Sequence, residues 1–137
     1  MVATFRELQD QAHNTARGKG WWDPYMTTNS GVRMSADQLL SKLMLIVTEV
    51  AEACEEVRDD QRVMRFENGE GVRYTLTSDW RELREGWKPE GLPAELADVV
   101  IRCLDLAGAL GIDLDEAVRI KMEFNRHRKH RHGGRLA

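Results

Sequence analysis

Cysteine and proline are scarce in this chain, two and three residues among 137, and neither sign of charge dominates. Cys54 and Cys103 fall inside apolar runs and form no short-spaced metal or redox motif, so two buried, reduced thiols are expected. Long hydrophobic runs are missing too; the longest are far shorter than a bilayer crossing needs. The first residues already carry Arg6, Glu7 and Asp10, which is not the pattern of a signal peptide, and a cytoplasmic protein is the expectation. A net charge of −3 gives no reason to expect nucleic acid or an acidic membrane as partner.

What is present is an ordinary globular composition, 42% apolar and 31% charged, in a length that suits a single domain over residues 1–137. The charge is unevenly spread. From about residue 126 the chain runs RHRKHRHGGR without an acid, a basic tail on an otherwise acidic protein.

Local signals predict four helices. Thr4 with Glu7 forms a capping-box pattern that opens a short helix to Arg17. Gly18-Lys19-Gly20 ends it, and Trp21-Trp22-Asp23-Pro24 follows as an aromatic loop. Ser35 or Asp37 caps a second helix reaching about Arg58. Its Leu43-Met44-Leu45-Ile46-Val47 stretch is apolar on every side and therefore expected to be buried all round. Within 59–92, Asn68-Gly69 and Glu70-Gly71 suggest a small hairpin insert, and the charged stretch around Trp80 and Trp87 suggests a short helix. Pro93 opens a third long helix to Leu110. Asp113 with Glu116 caps a fourth, ending near His127. The predicted class is all-α, a four-helix, bundle-like fold. The second and third helices carry more apolar surface than two others can cover, which predicts a homodimer or homotetramer.

Acidic side chains interrupt these apolar helices at helical spacing. Glu49 and Glu52 share one face of the second helix, with Glu56 a turn further on. On the third, Glu95, Asp98, Arg102 and Asp105 make one narrow stripe amid Leu, Ala, Val, Ile and Cys. A solvated stripe is the plain alternative, but so wide an apolar arc argues that much of this helix is covered. Two such pairs on antiparallel helices would point four carboxylates at one spot, a set of oxygen ligands suited to Mg²⁺ or Mn²⁺. On the fourth helix Lys121, Asn125 and Arg128 project two cations and an amide from one side, suited to phosphate oxygens. The plain alternative there is a basic helix end favoured by the macrodipole.

The stretches Glu49-Val-Ala-Glu52-Ala-Cys-Glu-Glu56, Lys88-Pro-Glu-Gly-Leu-Pro-Ala-Glu95-Leu-Ala-Asp98-Val-Val-Ile-Arg102 and Gly111-Ile-Asp-Leu-Asp-Glu-Ala117, the last running on to His132-Gly133-Gly134, resemble MazG-like nucleotide pyrophosphohydrolases. The likeness extends over roughly residues 39–134, with His13 and Gly20-Trp21-Trp22 similar to a bacterial and phage-type branch. It implies an all-α oligomer that uses Mg²⁺ to hydrolyse a nucleoside triphosphate, a dNTP above all, to the monophosphate and pyrophosphate. By that resemblance Glu49, Glu52, Glu95 and Asp98 are metal ligands, and Lys121, Asn125 and Arg128 contact substrate. Glu52, then Glu56, would orient or deprotonate the attacking water. Trp21 or Trp22 could stack on a base, with His13 or Lys19 near sugar or phosphate; alternatively the tryptophans fill volume. The 59–87 insert is longer than the compact family pattern.

Two other readings remain. A non-catalytic helical dimer could bind nucleic acid or an acidic partner through the basic tail, with steep salt dependence. A purely structural dimerisation unit would need no acid stripe. His127, His130 and His132 fit no tetrahedral zinc site by spacing.

Overall fold

The computed structural model describes residues 2–74 and 86–129. Among the described residues four helices carry the fold, which is all-α in class, with two small antiparallel sheets added. In chain order they are α1 (Phe5–Gly18), β1 (Met26–Thr28), β2 (Gly31–Arg33), α2 (Ala36–Arg58), β3 (Arg65–Glu67), β4 (Val72–Arg73), β5 (Lys88–Glu90), α3 (Leu92–Leu110) and α4 (Leu114–Arg126). The chain divides into two compact units, Met1–Arg33 with Leu104–Ala137 and Met34–Cys103. No described helix is long and apolar enough to cross a membrane.

Helix starts follow from local hydrogen bonding. Thr4 and Glu7 make the reciprocal capping box of α1, and Ser35 and Gln38 make that of α2, so Ser35 rather than Asp37 is the cap. Asp113 Oδ1 accepts from the Glu116 N–H at the start of α4.

In the first unit, α1 packs against α4. Gln9, buried, donates to Ile112 O at 2.8 Å, which satisfies a polar group enclosed beside the start of α4. Arg6 reaches Asp113 and Asp115 at 3.0 and 3.4 Å, a solvent-screened surface pairing. Trp22, Leu104, Leu106, Ala107 and Ala109 form this unit's core with Val32. Val32 lies on the β1–β2 hairpin, an element the sequence reading did not anticipate. The hairpin turns through Asn29 and Ser30, and the Gly31 backbone lies against Ala109 O, where a Cβ would come within 2.4 Å.

In the second unit, the expected hairpin forms: β3 and β4 pair antiparallel across the Asn68–Gly71 turn, where Asn68 Oδ1 accepts from the Glu70 and Gly71 N–H groups. A third strand, β5, pairs with the other edge of β3, placing Pro89 opposite Phe66. Proline is tolerated because β5 is itself an edge strand. The short helix expected around Trp80 falls largely outside the described residues.

Two expectations of burial are corrected. The apolar middle of α2 is not enclosed: Leu43, Met44, Leu45 and Val47 are all exposed, and Glu49 and Ala53 are the buried residues of the helix. Cys103 is partly enclosed, which pushes its thiol pKa up, but Cys54 is exposed; both are free.

Candidate metal-binding carboxylate site

The second unit turns the usual pattern of an amphipathic helix inside out. On α3, Leu96, Val100 and Ile101 face solvent while Glu95 is 8% exposed; on α2, Val47 and Val50 are exposed while Glu49 is 6% exposed. Burying carboxylates and leaving branched aliphatics outside costs stability twice over unless something answers the charge.

Glu49, Glu52 and Glu95 converge, each offering a carboxylate oxygen within 4.8 Å of the others. The nearness of Glu52 favours the protonated form of Glu95. The Oε2 of Glu95 is enclosed without a hydrogen-bond partner among the described residues. Enclosure, then the hydrogen bond and charge of Glu52, then the charges of Asp98 and Glu90, push the Glu95 carboxyl up to about 7. Asp98, one turn further along α3, is exposed and stands outside that converging trio. Its pKa is nonetheless raised, first by desolvation and then by the charge of Glu49, with Arg102 and Lys88 opposing.

Cations border this cluster. Arg102 donates from Nε to Glu49 Oε1. Lys88, on β5, pairs with Glu90 at 2.6 Å, and its pKa is raised by that contact and by the charges of Glu90, Glu95 and Glu52. Glu56 belongs to a second close group with Glu90 and Glu95. Both its oxygens are occupied, Oε2 by Arg65 at 3.0 Å and Oε1 by the Gly91 N–H at 3.3 Å. Arg65 is held from its other side by Glu67 at 2.8 Å. Sequence reasoning singled out the acids by helical spacing. It missed Arg65 and the pairing role of Arg102, because both roles arise from tertiary approach; Arg102's place on the acid stripe was the available signal.

The turn that presents Glu95 is fixed by backbone geometry. Gly91 adopts φ +100°, and a Cβ there would lie 2.2 Å from Val63 O. Leu92 N–H donates to Gln61 O at 2.9 Å, and Glu95 N–H to Gly91 O at 3.1 Å, so α3 begins at a position set by the end of α2 and its following turn.

The remaining sequence candidates lie in the first unit. His13 Nδ1 and Trp22 Nε1 both engage Asp105 Oδ1, at 2.8 and 2.9 Å. The Trp22 ring, 4% exposed, packs against His13 and Tyr25; Trp21 beside it is 69% exposed. Gly108 lets His13 approach: a Cβ at 108 would sit 2.7 Å from His13 Cβ. Lys19 is the C-cap of α1. Lys121 and Arg128 both lie over the exposed ring of Phe124, at 5.2 and 5.7 Å, and Asn125 is exposed beside them. His127 pairs with Glu123 at 2.7 Å; His130 and His132 lie outside the described residues.

A stretch of 36 residues is 56% identical to the dATP/dGTP diphosphohydrolase of Cyanophage S-2L. It spans 26% of this chain and about a third of that protein's length. No family model matches the chain, and no solved structure matches it. The likeness therefore connects part of the chain to an enzyme of deoxynucleoside triphosphates.

Proposed function

We propose that this protein hydrolyses a nucleoside triphosphate, a dNTP by preference, to the monophosphate and pyrophosphate, with Mg²⁺ (Mn²⁺ as a substitute) held by Glu49, Glu52, Glu95 and Asp98. The observation that carries this reading is the partnerless, enclosed Oε2 of Glu95 beside the carboxylates of Glu49 and Glu52. An all-oxygen donor set with one buried acceptor left over fits a hard divalent cation. The partial match to a dATP/dGTP diphosphohydrolase favours the same chemistry.

Bound there, the ion would lower the pKa of a water and offset charge on phosphoryl oxygens. The residues do the rest. Glu52 is exposed at the edge of the trio, and we assign it the water: its carboxylate accepts the proton as the oxygen bonds to the α-phosphorus and the α–β bridging bond breaks, pyrophosphate leaving with the electron pair. Glu56 has its oxygens committed to Arg65 and Gly91 and serves instead to hold the start of α3. Lys121, Asn125 and Arg128 are assigned to phosphate oxygens by their chemistry, and His13 and Lys19 to sugar or phosphate. Trp21 is the exposed ring available for stacking on a base, whereas Trp22 contributes through packing.

The test is pyrophosphate release from a panel of dNTPs. Release with Mg²⁺ and none with EDTA is expected; EDTA-resistant release, or none from any nucleotide, removes the proposal.

The exposed aliphatic faces of α2 and α3 are assigned to a second copy of the chain, giving a homodimer or homotetramer in a cytoplasmic setting. Light scattering is expected to return at least twice the 15.7 kDa chain mass. Val47→Glu with Val100→Glu should shift the protein toward the monomer, and a wild-type monomer at micromolar concentration would refute the assignment. The alternative, a non-catalytic dimer binding nucleic acid through its basic tail, leaves the enclosed carboxylates without a purpose.

A further inference from the structure

Arg102 occupies an unusual position for a side chain that only balances charge. It follows Glu95 and Asp98 along one stripe of α3, two turns beyond the first and one beyond the second. Its Nε donates to Oε1 of Glu49, and Glu49 is almost wholly enclosed. The guanidinium itself is not enclosed: the side chain is 44% exposed. A guanidinium carries five N–H donors in a planar fork, and Glu49 takes one of them at the Nε edge. Among the described residues no other hydrogen-bond partner of Arg102 is found; the side chain is partly open to solvent, and its charge acts on Asp98 one turn back along α3. The fork geometry of its Nη groups matches two oxygens of a phosphate.

We propose that Arg102 is a substrate-contacting residue whose Nε anchors the buried Glu49 while its Nη groups take non-bridging oxygens of the triphosphate. This rests on the hydrolase reading above and adds a phosphate-binding group within the same unit as the carboxylates. The anchoring matters because an unpaired buried carboxylate would seek a proton or another donor. The free fork matters because charge gathers on the phosphoryl oxygens as the α–β bond breaks. A residue serving only the first role could be replaced by lysine at little loss, since a single cation keeps Glu49 paired. A residue serving both could not, because a lysine held by Glu49 presents no fork.

The experiment uses Arg102→Gln and Arg102→Lys in the full chain, with circular dichroism to verify folding. Three readouts are taken: Mn²⁺ binding by calorimetry, binding of inorganic pyrophosphate in the presence of Mn²⁺, and steady-state pyrophosphate release from a dNTP with Mg²⁺. R102Q should bind Mn²⁺ as tightly as wild type or more tightly, because a competing cation has gone from beside Glu49. Its kcat/KM should nonetheless fall roughly 10²- to 10³-fold, and its pyrophosphate affinity about tenfold or more. R102K should bind Mn²⁺ normally and stay well below wild-type turnover. Near-wild-type turnover in R102K overturns the inference, as does loss of Mn²⁺ binding in R102Q in proportion to its loss of activity, which would make Arg102 a support for Glu49 alone. If R102Q does not fold, R102K decides. A wild-type protein that binds no Mn²⁺ and releases no pyrophosphate removes the hydrolase reading itself, an outcome distinct from either of these.

Discussion

Glu52→Gln and Glu95→Gln are each expected to reduce Mg²⁺-dependent pyrophosphate release by roughly 10³-fold, with the helical circular dichroism of the wild type retained. Each substitution keeps the volume and reach of the side chain and removes the charge. At 52 it removes the group assigned to take the proton from water. At 95 it removes an enclosed carboxylate whose Oε2 has no hydrogen-bond partner among the described residues. The two variants differ in stability. Glu95 disfavours ionisation where it sits, so a permanently neutral amide should leave the metal-free protein at least as stable at pH 8. A change that stabilises the fold while abolishing turnover is the signature of a side chain retained for function. Wild-type release by either variant would show the cluster to be a structural accident of helix packing.

A reversal of pH dependence on adding metal is the second large effect. Glu95 titrates at about 7 in the fold against an ordinary 4.5, so between those values the folded chain holds a proton that the unfolded chain has lost. The stability arising from this group is fully present below about 4.5 and is lost as pH rises through 7. Asp98, also raised, acts in the same direction. Metal-free protein should therefore lose thermal stability from pH 5 to 8. An ion entering the trio must expel that proton, so its apparent affinity should climb about tenfold per pH unit and level off above 7. With millimolar Mg²⁺ or Mn²⁺ the melting temperature should rise over the interval where it falls without metal. Scanning fluorimetry at half-unit pH steps reads both curves. Parallel curves would mean that the ion does not displace the proton from Glu95.

The helices were legible from sequence because their signals are local: Thr4 with Glu7, and Ser35, close hydrogen bonds within three residues of themselves. The Asn68–Gly71 turn was legible for the same reason. The β1–β2 hairpin and β5 were not. Each strand is three residues long; β5 is held by a partner more than twenty residues away, and Pro89 reads as a breaker unless its edge position is known. Helical spacing brought out Glu49, Glu52 and Glu95, and the structure gathers them. Spacing could not say that Glu56 is occupied by Arg65 and Gly91, since those contacts need β3 and β5 folded beside α2. The apolar run of α2 was read as wholly interior because periodicity reports which faces are greasy, not which molecule covers them. The basic end of the chain beyond 129 lies outside the described residues, and the tail reading stands on sequence alone.

The chain leaves α2 and re-enters α3 through one knot of contacts: Leu92 N–H on Gln61 O, Gly91 N–H on Glu56, and the Gly91 backbone pressed against Val63. Both ends of the intervening excursion are thereby pinned together at its root. Changes at the Asn68–Gly71 turn, at the far end of β3 from this root, should therefore leave the register of the two acid-bearing helices unaltered.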